Sequence, residues 1–290
     1  MTVPDELPTA VLGSLSPSRA ADFKTCPLLY RFRTIDHLPE APSRAATRGT
    51  VVHTVLEKLF DLPSGERTVT AAKALVPGAW QAVLEEYPEA SLLFDTDEDG
   101  RELAEWLSSA EGLVENYFKL EDPTRLEPAA REQRVEIIID GLRLRGYVDR
   151  VDISPSGDIR VVDYKTGTTP REAFEAKALF QMKFYALVLW RTGGVLPRQL
   201  RLMYLADTDT LSYAPCAEEL DRFERTLKAI WAAIGRATET GDFRPSPSRL
   251  CGWCDHQALC PAFGGTPPPY PVDELAAIDI DRQATASVTA

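Results

Sequence analysis

Two apolar runs joined by Asp140-Gly141 constrain this chain more than any other feature. Arg134-Val-Glu-Ile-Ile-Ile139 leads into the pair, and Leu142-Arg-Leu-Arg-Gly-Tyr-Val-Asp149 leads out of it. An Asp-Gly pair tolerates left-handed backbone at both turn positions, so this segment is expected to be a two-residue β-hairpin. Ser154–Asp158 reads as a second turn, and Ile159-Arg-Val-Val-Asp-Tyr164 as a third strand. A helix from Arg171 to about Arg191, a strand over 199–205, a short strand over 211–214 and a helix over about 218–240 follow. Ahead of the meander the period is helical. Ser16 and Pro17 read as N-cap and first helical residue of a segment that runs to about Cys26-Pro27. Val51, Val52, Val55, Leu56 and Leu59 recur at helical spacing within 43–60, and 68–87 and 98–120 read as two more helices. The order implies an α/β fold, with helices inserted before a mixed central sheet.

Both acidic ends of the meander carry chemistry. Asp149 closes Gly146-Tyr-Val-Asp, and Asp163 opens Asp163-Tyr-Lys165. On a strand, residues two apart share a face, so Asp163 and Lys165 point the same way. Asp149 and Asp163 lie on neighbouring antiparallel strands, where their carboxylates can converge. Hard oxygen ligands of this kind suit Mg²⁺ or Mn²⁺. Such an ion polarises a phosphodiester and activates a water, while Lys165 would orient that water or stabilise developing charge. A lone D-x-K is usually a surface ion pair; at the end of an apolar strand beside G-x-x-D it is far more specific. His53, in Arg48-Gly-Thr-Val-Val-His53, could add a nitrogen ligand or be an ordinary helical histidine. Gln181 and Tyr185 sit four apart, hence on one helix face.

Five cysteines form a second pattern. Cys251, Cys254 and Cys260 cluster near the C-terminus, and Cys26-Pro27 supplies a fourth thiol more than 220 residues earlier. Thiolates in this number bind zinc or an iron–sulfur cluster. A zinc ribbon normally pairs two C-x-x-C knuckles, and only one is present, so the one-plus-three split favours iron and sulfur. Such a clamp would tie the N- and C-terminal parts together. Cys216 stands apart and reads as a small apolar residue.

A net charge of −12 argues against a nucleic-acid partner only at first sight. Thirteen acids and two bases fall between Leu84 and Asp122, which leaves the rest of the chain close to neutral. This acidic stretch is expected to be a solvated helical face. Arg19, Lys24, Arg31, Arg33, Arg44 and Arg48 make the N-terminal part basic. No apolar run approaches the roughly 18 residues of a membrane span, and residues 1–10 do not read as a signal peptide. A cytoplasmic protein with reduced cysteines is expected.

Seven signatures stand in one order: Ser14-Leu-Ser-Pro-Ser, Cys26-Pro, Arg48-Gly-Thr-x-x-His53, Gly146-x-x-Asp149-Arg-x-Asp152, Asp163-Tyr-Lys165-Thr-Gly, Gln181-x-x-x-Tyr185 and Cys251-x2-Cys254-x5-Cys260-Pro. As an ensemble the chain resembles the RecB-like PD-(D/E)XK nucleases, in the subgroup that carries an iron–sulfur cluster. The resemblance implies a restriction-endonuclease-like mixed sheet flanked by helices. It implies one nuclease domain over 14–263, with a helical elaboration over about 62–125, a nuclease core over about 126–215 and a cysteine segment over 243–263. Residues 1–13 and 264–290 are expected to be flexible. DNA, as single strands or ends, is the implied substrate, and an exonuclease of DNA repair, recombination or DNA processing the implied role. His53, Asp149, Asp163 and the Tyr164 carbonyl are implied Mg²⁺ or Mn²⁺ ligands, with Lys165 catalytic and Gln181 and Tyr185 supporting. Glu132 matches a further acidic position, for which Glu136 competes. Cys26, Cys251, Cys254 and Cys260 are implied to hold a 4Fe–4S cluster. Relatives are often fused to a helicase. This chain has no G-x-x-x-x-G-K-[ST] loop, so it is expected to stand alone or to work with a helicase or repair protein as partner. A non-catalytic DNA-end-binding or assembly module is the alternative.

Overall fold

A computed structural model of the chain describes residues 13–169 and 172–271. Along it run β1 (Ser14–Leu15), α1 (Pro17–Thr25), α2 (Pro27–Tyr30), α3 (Arg44–Leu59), α4 (Val69–Ala74), α5 (Val76–Glu86) and α6 (Arg101–Leu120). Then come β2 (Ala130–Ile139), β3 (Leu142–Ile153), β4 (Ile159–Lys165), α7 (Glu172–Gly193), β5 (Gln199–Tyr204), β6 (Asp209–Tyr213) and α8 (Ala217–Thr240). The strands are ordered β1-β3-β4-β5-β6, with β2 also paired to β3. This is the mixed sheet flanked by helices that the sequence implies. Among the described residues, no helix is long and apolar enough to cross a membrane.

The chain divides into two compact units. The first holds residues up to Ala41, Glu136–Arg145 and residues from Asp221 onward. Asp140 and Gly141 have φ of 49° and 78°, the left-handed pair that a two-residue hairpin requires. β1 lies parallel to β3 in the register Ser14↔Arg143, so Ser14 and Leu15 form a short strand ahead of the helix. The Ser16 hydroxyl accepts the Arg19 N–H at 3.2 Å and starts α1 as expected. Tyr30 stacks with Phe243 at 6.3 Å, and Phe243 packs against Tyr270 at 5.9 Å. The Tyr270 hydroxyl donates to the Thr238 carbonyl at 2.7 Å, and the Arg31 guanidinium lies over its ring. Residues 264–271, expected to be loose, are therefore held in place, because an aromatic anchor follows the prolines. The expected flexibility of 1–12 and 272–290 lies outside the described residues.

The second unit comprises Pro42–Val135 and Gly146–Leu220. Its core is a helical cluster against one sheet face. Val51, Val52, Val55, Leu56 and Leu59 of α3 pack with Trp80, Trp106, Val114 and Tyr117, and with Val162, Tyr164 and Met203 of the sheet. The stretch 68–87 breaks into two helices at Leu75. Pro77 has no N–H to continue the ladder, and its ring clashes with the preceding turn. α6 begins at Arg101, not at 98, because the Asp97 carboxylate accepts the N–H groups of Glu102 and Leu103 at 3.1 and 2.8 Å. β3 and β4 are antiparallel with Arg150↔Val162, and β4 and β5 are parallel with Asp163↔Leu202. A helix must cross between parallel neighbours, and α7 does so here.

Arg150 is the largest fully buried side chain. It donates to the Tyr164 hydroxyl at 2.7 Å and to the Tyr117 hydroxyl at 3.3 Å. It pairs with Glu121 at 2.7 Å and Asp152 at 3.1 Å, and lies over the Phe60 ring. Removing one member of such a network leaves buried charge uncompensated, at a cost of about 3–5 kcal/mol. Urea denaturation of Arg150→Met should show a stability loss of that size. An unchanged midpoint would mean that the guanidinium does not hold the sheet to α6.

Candidate active site

In the second unit, five elements deliver polar groups to one place. α3 brings His53, β2 brings Glu132, β3 brings Asp149, and β4 brings Asp163, Tyr164 and Lys165. Strand alternation sorts β4: Val162 and Tyr164 join the helical core, so Asp163 and Lys165 face the other side. α7 presents Gln181 and Tyr185 to that side.

His53, Glu132 and Asp149 each bring a ligand atom within 4.8 Å of the others. His53 Nδ1 lies 3.5 Å from Asp149 Oδ2 and 3.7 Å from Glu132 Oε1. His53 Nε2 lies 3.0 Å from the Tyr164 carbonyl oxygen. The Tyr164 N–H donates to Asp149 Oδ2 at 2.7 Å. The backbone of Tyr164 thus touches two candidate ligands at once. Asp163 is 1% exposed and is engaged by its neighbours. Lys165 Nζ lies 2.6 Å from Asp163 Oδ2, and Gln181 Nε2 donates to Asp163 Oδ1 at 2.8 Å. Lys165 Nζ also donates to Gln181 Oε1 at 2.9 Å, and Gln181 Nε2 lies 3.2 Å from the Tyr185 hydroxyl. Gln181 is the hinge of this set, since one amide reads both the lysine and the carboxylate.

The electrostatics follow from burial and crowding. Burial, then the neighbouring Asp163 carboxylate, pushes the Asp149 carboxyl up to about 7. Burial by itself would lower the His53 imidazolium, but Asp149, Glu132 and Asp163 outweigh it and raise it to about 9. Burial holds the Tyr185 phenol well above its usual range, so it remains a neutral hydroxyl. The site gathers more negative charge than its own cations offset.

All the candidates come together: His53, Asp149, Asp163, Tyr164, Lys165, Gln181 and Tyr185. The competition between Glu132 and Glu136 is also resolved. Glu132 joins His53, whereas Glu136 lies 3.6 Å from Arg143 in the other unit. Counting outward from the Asp140-Gly141 turn would have set position 132 opposite 149. What no sequence signal reveals is the backbone of Glu132, with a φ of 41°.

Four free thiols meet in the first unit. Cys26, Cys251, Cys254 and Cys260 line one pocket, together with Leu28 and Phe32. Burial raises the Cys254 thiol, and the nearness of Cys251, Cys26 and Cys260 raises it further. The Ser246 N–H donates to Cys26 Sγ at 3.4 Å and the Ser248 N–H to Cys251 Sγ at 3.3 Å. His256, 3% exposed, lies 3.0 Å from Glu40, and Arg33 bridges Glu40 and Asp22 at 2.7 Å each. These bonds carry the cysteine segment onto the N-terminal helices. Cys216 lies outside the pocket but is exposed, so it is not the core residue that its apolar character suggested.

Comparison with known proteins agrees with this geometry. Residues 14–261 match the model of the PD-(D/E)XK nuclease superfamily. The gene 69 protein of Mycobacterium phage D29 is 26% identical over 268 residues, which cover 86% of this chain and 96% of that protein. The gene 69 protein of Mycobacterium phage L5 is 31% identical over 137 residues, 46% of this chain and 45% of that protein. The match thus spans less than half the length of the L5 relative. A solved structure from Eubacterium rectale, described as a "Putative exonuclease", aligns with a TM-score of 0.58 at 13% identity and covers 88% of this chain and 93% of that one. At that identity the likeness is one of fold. The extent of the family match, with its acidic and lysine positions assembled on β3 and β4, places this chain in the PD-(D/E)XK nuclease superfamily.

Proposed function

We propose that this chain is a divalent-metal-dependent DNA nuclease, acting on ends or single strands, with residues 14–263 as its nuclease domain. One observation carries the reading: His53, Glu132 and Asp149 converge beside an Asp163–Lys165–Gln181 set. The donors fit Mg²⁺ or Mn²⁺, being hard oxygens and one imidazole around a point of excess negative charge. His53, Glu132, Asp149, Asp163 and the Tyr164 carbonyl would hold the ion. When bound, it supplies Lewis-acid activation of the phosphodiester and of the attacking water.

The chain's own residues do the rest. Lys165 Nζ stands where it can orient the water and stabilise negative charge on the phosphoryl oxygens as the bond breaks. Gln181 fixes that ammonium by accepting one of its protons, and fixes Asp163 by donating to it. The Tyr185 hydroxyl sets the Gln181 amide in turn. Exonuclease action is proposed with support from the sheet's likeness to the Eubacterium rectale protein and from the family's DNA substrates.

The four thiols of the first unit would hold a 4Fe–4S cluster. They fit it: all four line one pocket, and two receive backbone N–H groups, which stabilise thiolate and tune such clusters. The role is structural, joining Cys26 at the end of α1 to the final segment.

Three measurements test this reading. On end-labelled single- and double-stranded DNA with Mn²⁺, Lys165→Ala and Asp163→Asn should each lower the single-turnover rate by at least about 100-fold. Wild-type rates in both variants, or intact DNA with the wild-type protein, would sink the nuclease assignment. Glu132→Gln should raise the Mn²⁺ concentration needed for half-maximal activity by about tenfold or more, while Glu136→Gln should leave it unchanged. Equal effects would remove Glu132 from the site. Anaerobically purified protein should be brown and carry about four irons per chain. Cys26→Ser should lose that iron and melt at a lower temperature. Stoichiometric zinc without iron would overturn the cluster.

A further inference from the structure

At the end of β4, in the second unit, is a pocket that the reaction does not use. Arg48, Ser109, Glu115, Asn116, Lys119 and Thr166 line it. Thr166 directly follows Lys165. Its Oγ1 is 3.4 Å from the point where a side chain on Gly49 would begin. α3 therefore passes close to the end of β4, and Arg48, next to Gly49, lines the same pocket as Thr166.

Arg48 is held but not neutralised. Its Nη1 donates to Ser109 Oγ at 3.2 Å, and Ser109 donates to the Trp106 carbonyl at 2.6 Å. Its Nε is buried without a hydrogen-bond partner. Among the described residues no carboxylate pairs with it, whereas Glu115 is already paired with Lys73. Lys119 adds a second cation at the exposed mouth, where Nζ donates to Asn116 Oδ1 at 2.7 Å. An arginine anchored by a neutral hydroxyl keeps its full charge for a ligand. Its planar fork matches a phosphate in a way that a lysine cannot. The Thr166 hydroxyl adds a neutral donor to the same pocket, while the Asn116 amide donates to the Leu205 carbonyl at 2.8 Å and holds Lys119 in place.

We infer that this pocket binds a phosphate group of the DNA strand next to the one being cut, with Arg48 as its principal contact and Lys119 as a weaker one. The inference rests on the nuclease reading and adds a subsite to it. The phosphate is either an internal diester or a terminal monoester. A terminal phosphate seated here would set how far from the end the strand is cut.

Fluorescence anisotropy with the full chain tests it, in the Lys165→Ala background with Mn²⁺ so that the strand stays intact. A labelled single-stranded oligonucleotide is titrated at several salt concentrations, ending in either a 5′-phosphate or a 5′-hydroxyl. Arg48→Gln should raise Kd about tenfold and reduce the slope of log affinity against log salt by about 0.7, the signature of one lost phosphate contact on a single strand. Loss of a wild-type preference for the phosphorylated end identifies the terminal monoester; equal loss for both oligonucleotides identifies an internal diester. Unchanged Kd and slope overturn the inference. Should Arg48→Gln fail to fold, Lys119→Gln decides: a smaller loss with a shallower slope supports the pocket, and unchanged binding overturns it. Cutting by the Lys165→Ala protein at the wild-type rate would instead strike at the nuclease reading, whatever Arg48 does.

Discussion

The site depends on the pairing of β3 with β4. In the register Arg150↔Val162, Asp149 falls opposite Asp163, and directly opposed residues of an antiparallel pair project to the same face. A slip of one residue would send Asp163 and Lys165 into the helical core and bring Tyr164 out. Two devices forbid the slip. In front, the Asp149 carboxylate takes the Tyr164 N–H, a bond between the reacting face and the neighbouring backbone. Behind, Arg150 reaches from β3 to the Tyr164 hydroxyl on β4 and to Glu121 beyond α6. Tyr164 is thus pinned to β3 from both faces, and the functional carboxylates inherit a position that the core enforces.

The acidic stretch between Leu84 and Asp122 is part of this construction and not only a solvated face. Asp97 caps α6. Glu102 pairs with Arg44 and Glu115 with Lys73. Glu121, whose side chain is 7% exposed, closes the network around Arg150 and also meets Arg160 at 3.3 Å. Charge that looks like a uniform repulsive block in one dimension is divided in space among caps, helix-to-helix pairs and one buried centre. The acids left over face solvent, where screening leaves their mutual repulsion small.

Periodicity makes the meander, the two helices around it and the shared face of Asp163 and Lys165 legible, because these depend on local geometry and on turns with a required backbone. The grouping of the four cysteines is legible for a different reason: three closely spaced thiols are rare by chance, so their spacing speaks without any knowledge of the fold. Other features escape such reading. β1 is two residues long and pairs with a distant strand, so nothing local marks it. Arg150 sits in an alternating strand pattern where a charged residue normally signals the solvent side. Only the presence of Tyr117, Tyr164, Glu121 and Asp152 around it explains its burial. The stretch after the last cysteine reads as loose because its prolines are conspicuous, while the single Tyr270 that anchors it is not.

Glu132 shows how such a hidden feature arises. Its left-handed backbone costs a non-glycine residue about 1–3 kcal/mol and persists only where the surroundings fix it. The neighbouring Arg131 supplies that constraint by donating to the Glu57 carbonyl and to Asp61 at 2.8 Å, which ties the start of β2 to the end of α3. α3 also carries His53. One helix therefore sets both the imidazole and, through Arg131, the strained residue that turns its carboxylate toward that imidazole. In a regular strand, fixing Arg131 against α3 would direct the next side chain to the opposite face. The left-handed residue removes that opposition, so anchoring the strand to the helix and aiming its carboxylate at the site become compatible. The strain sits where regular strand geometry and the site's geometry conflict, and it is resolved in favour of the site.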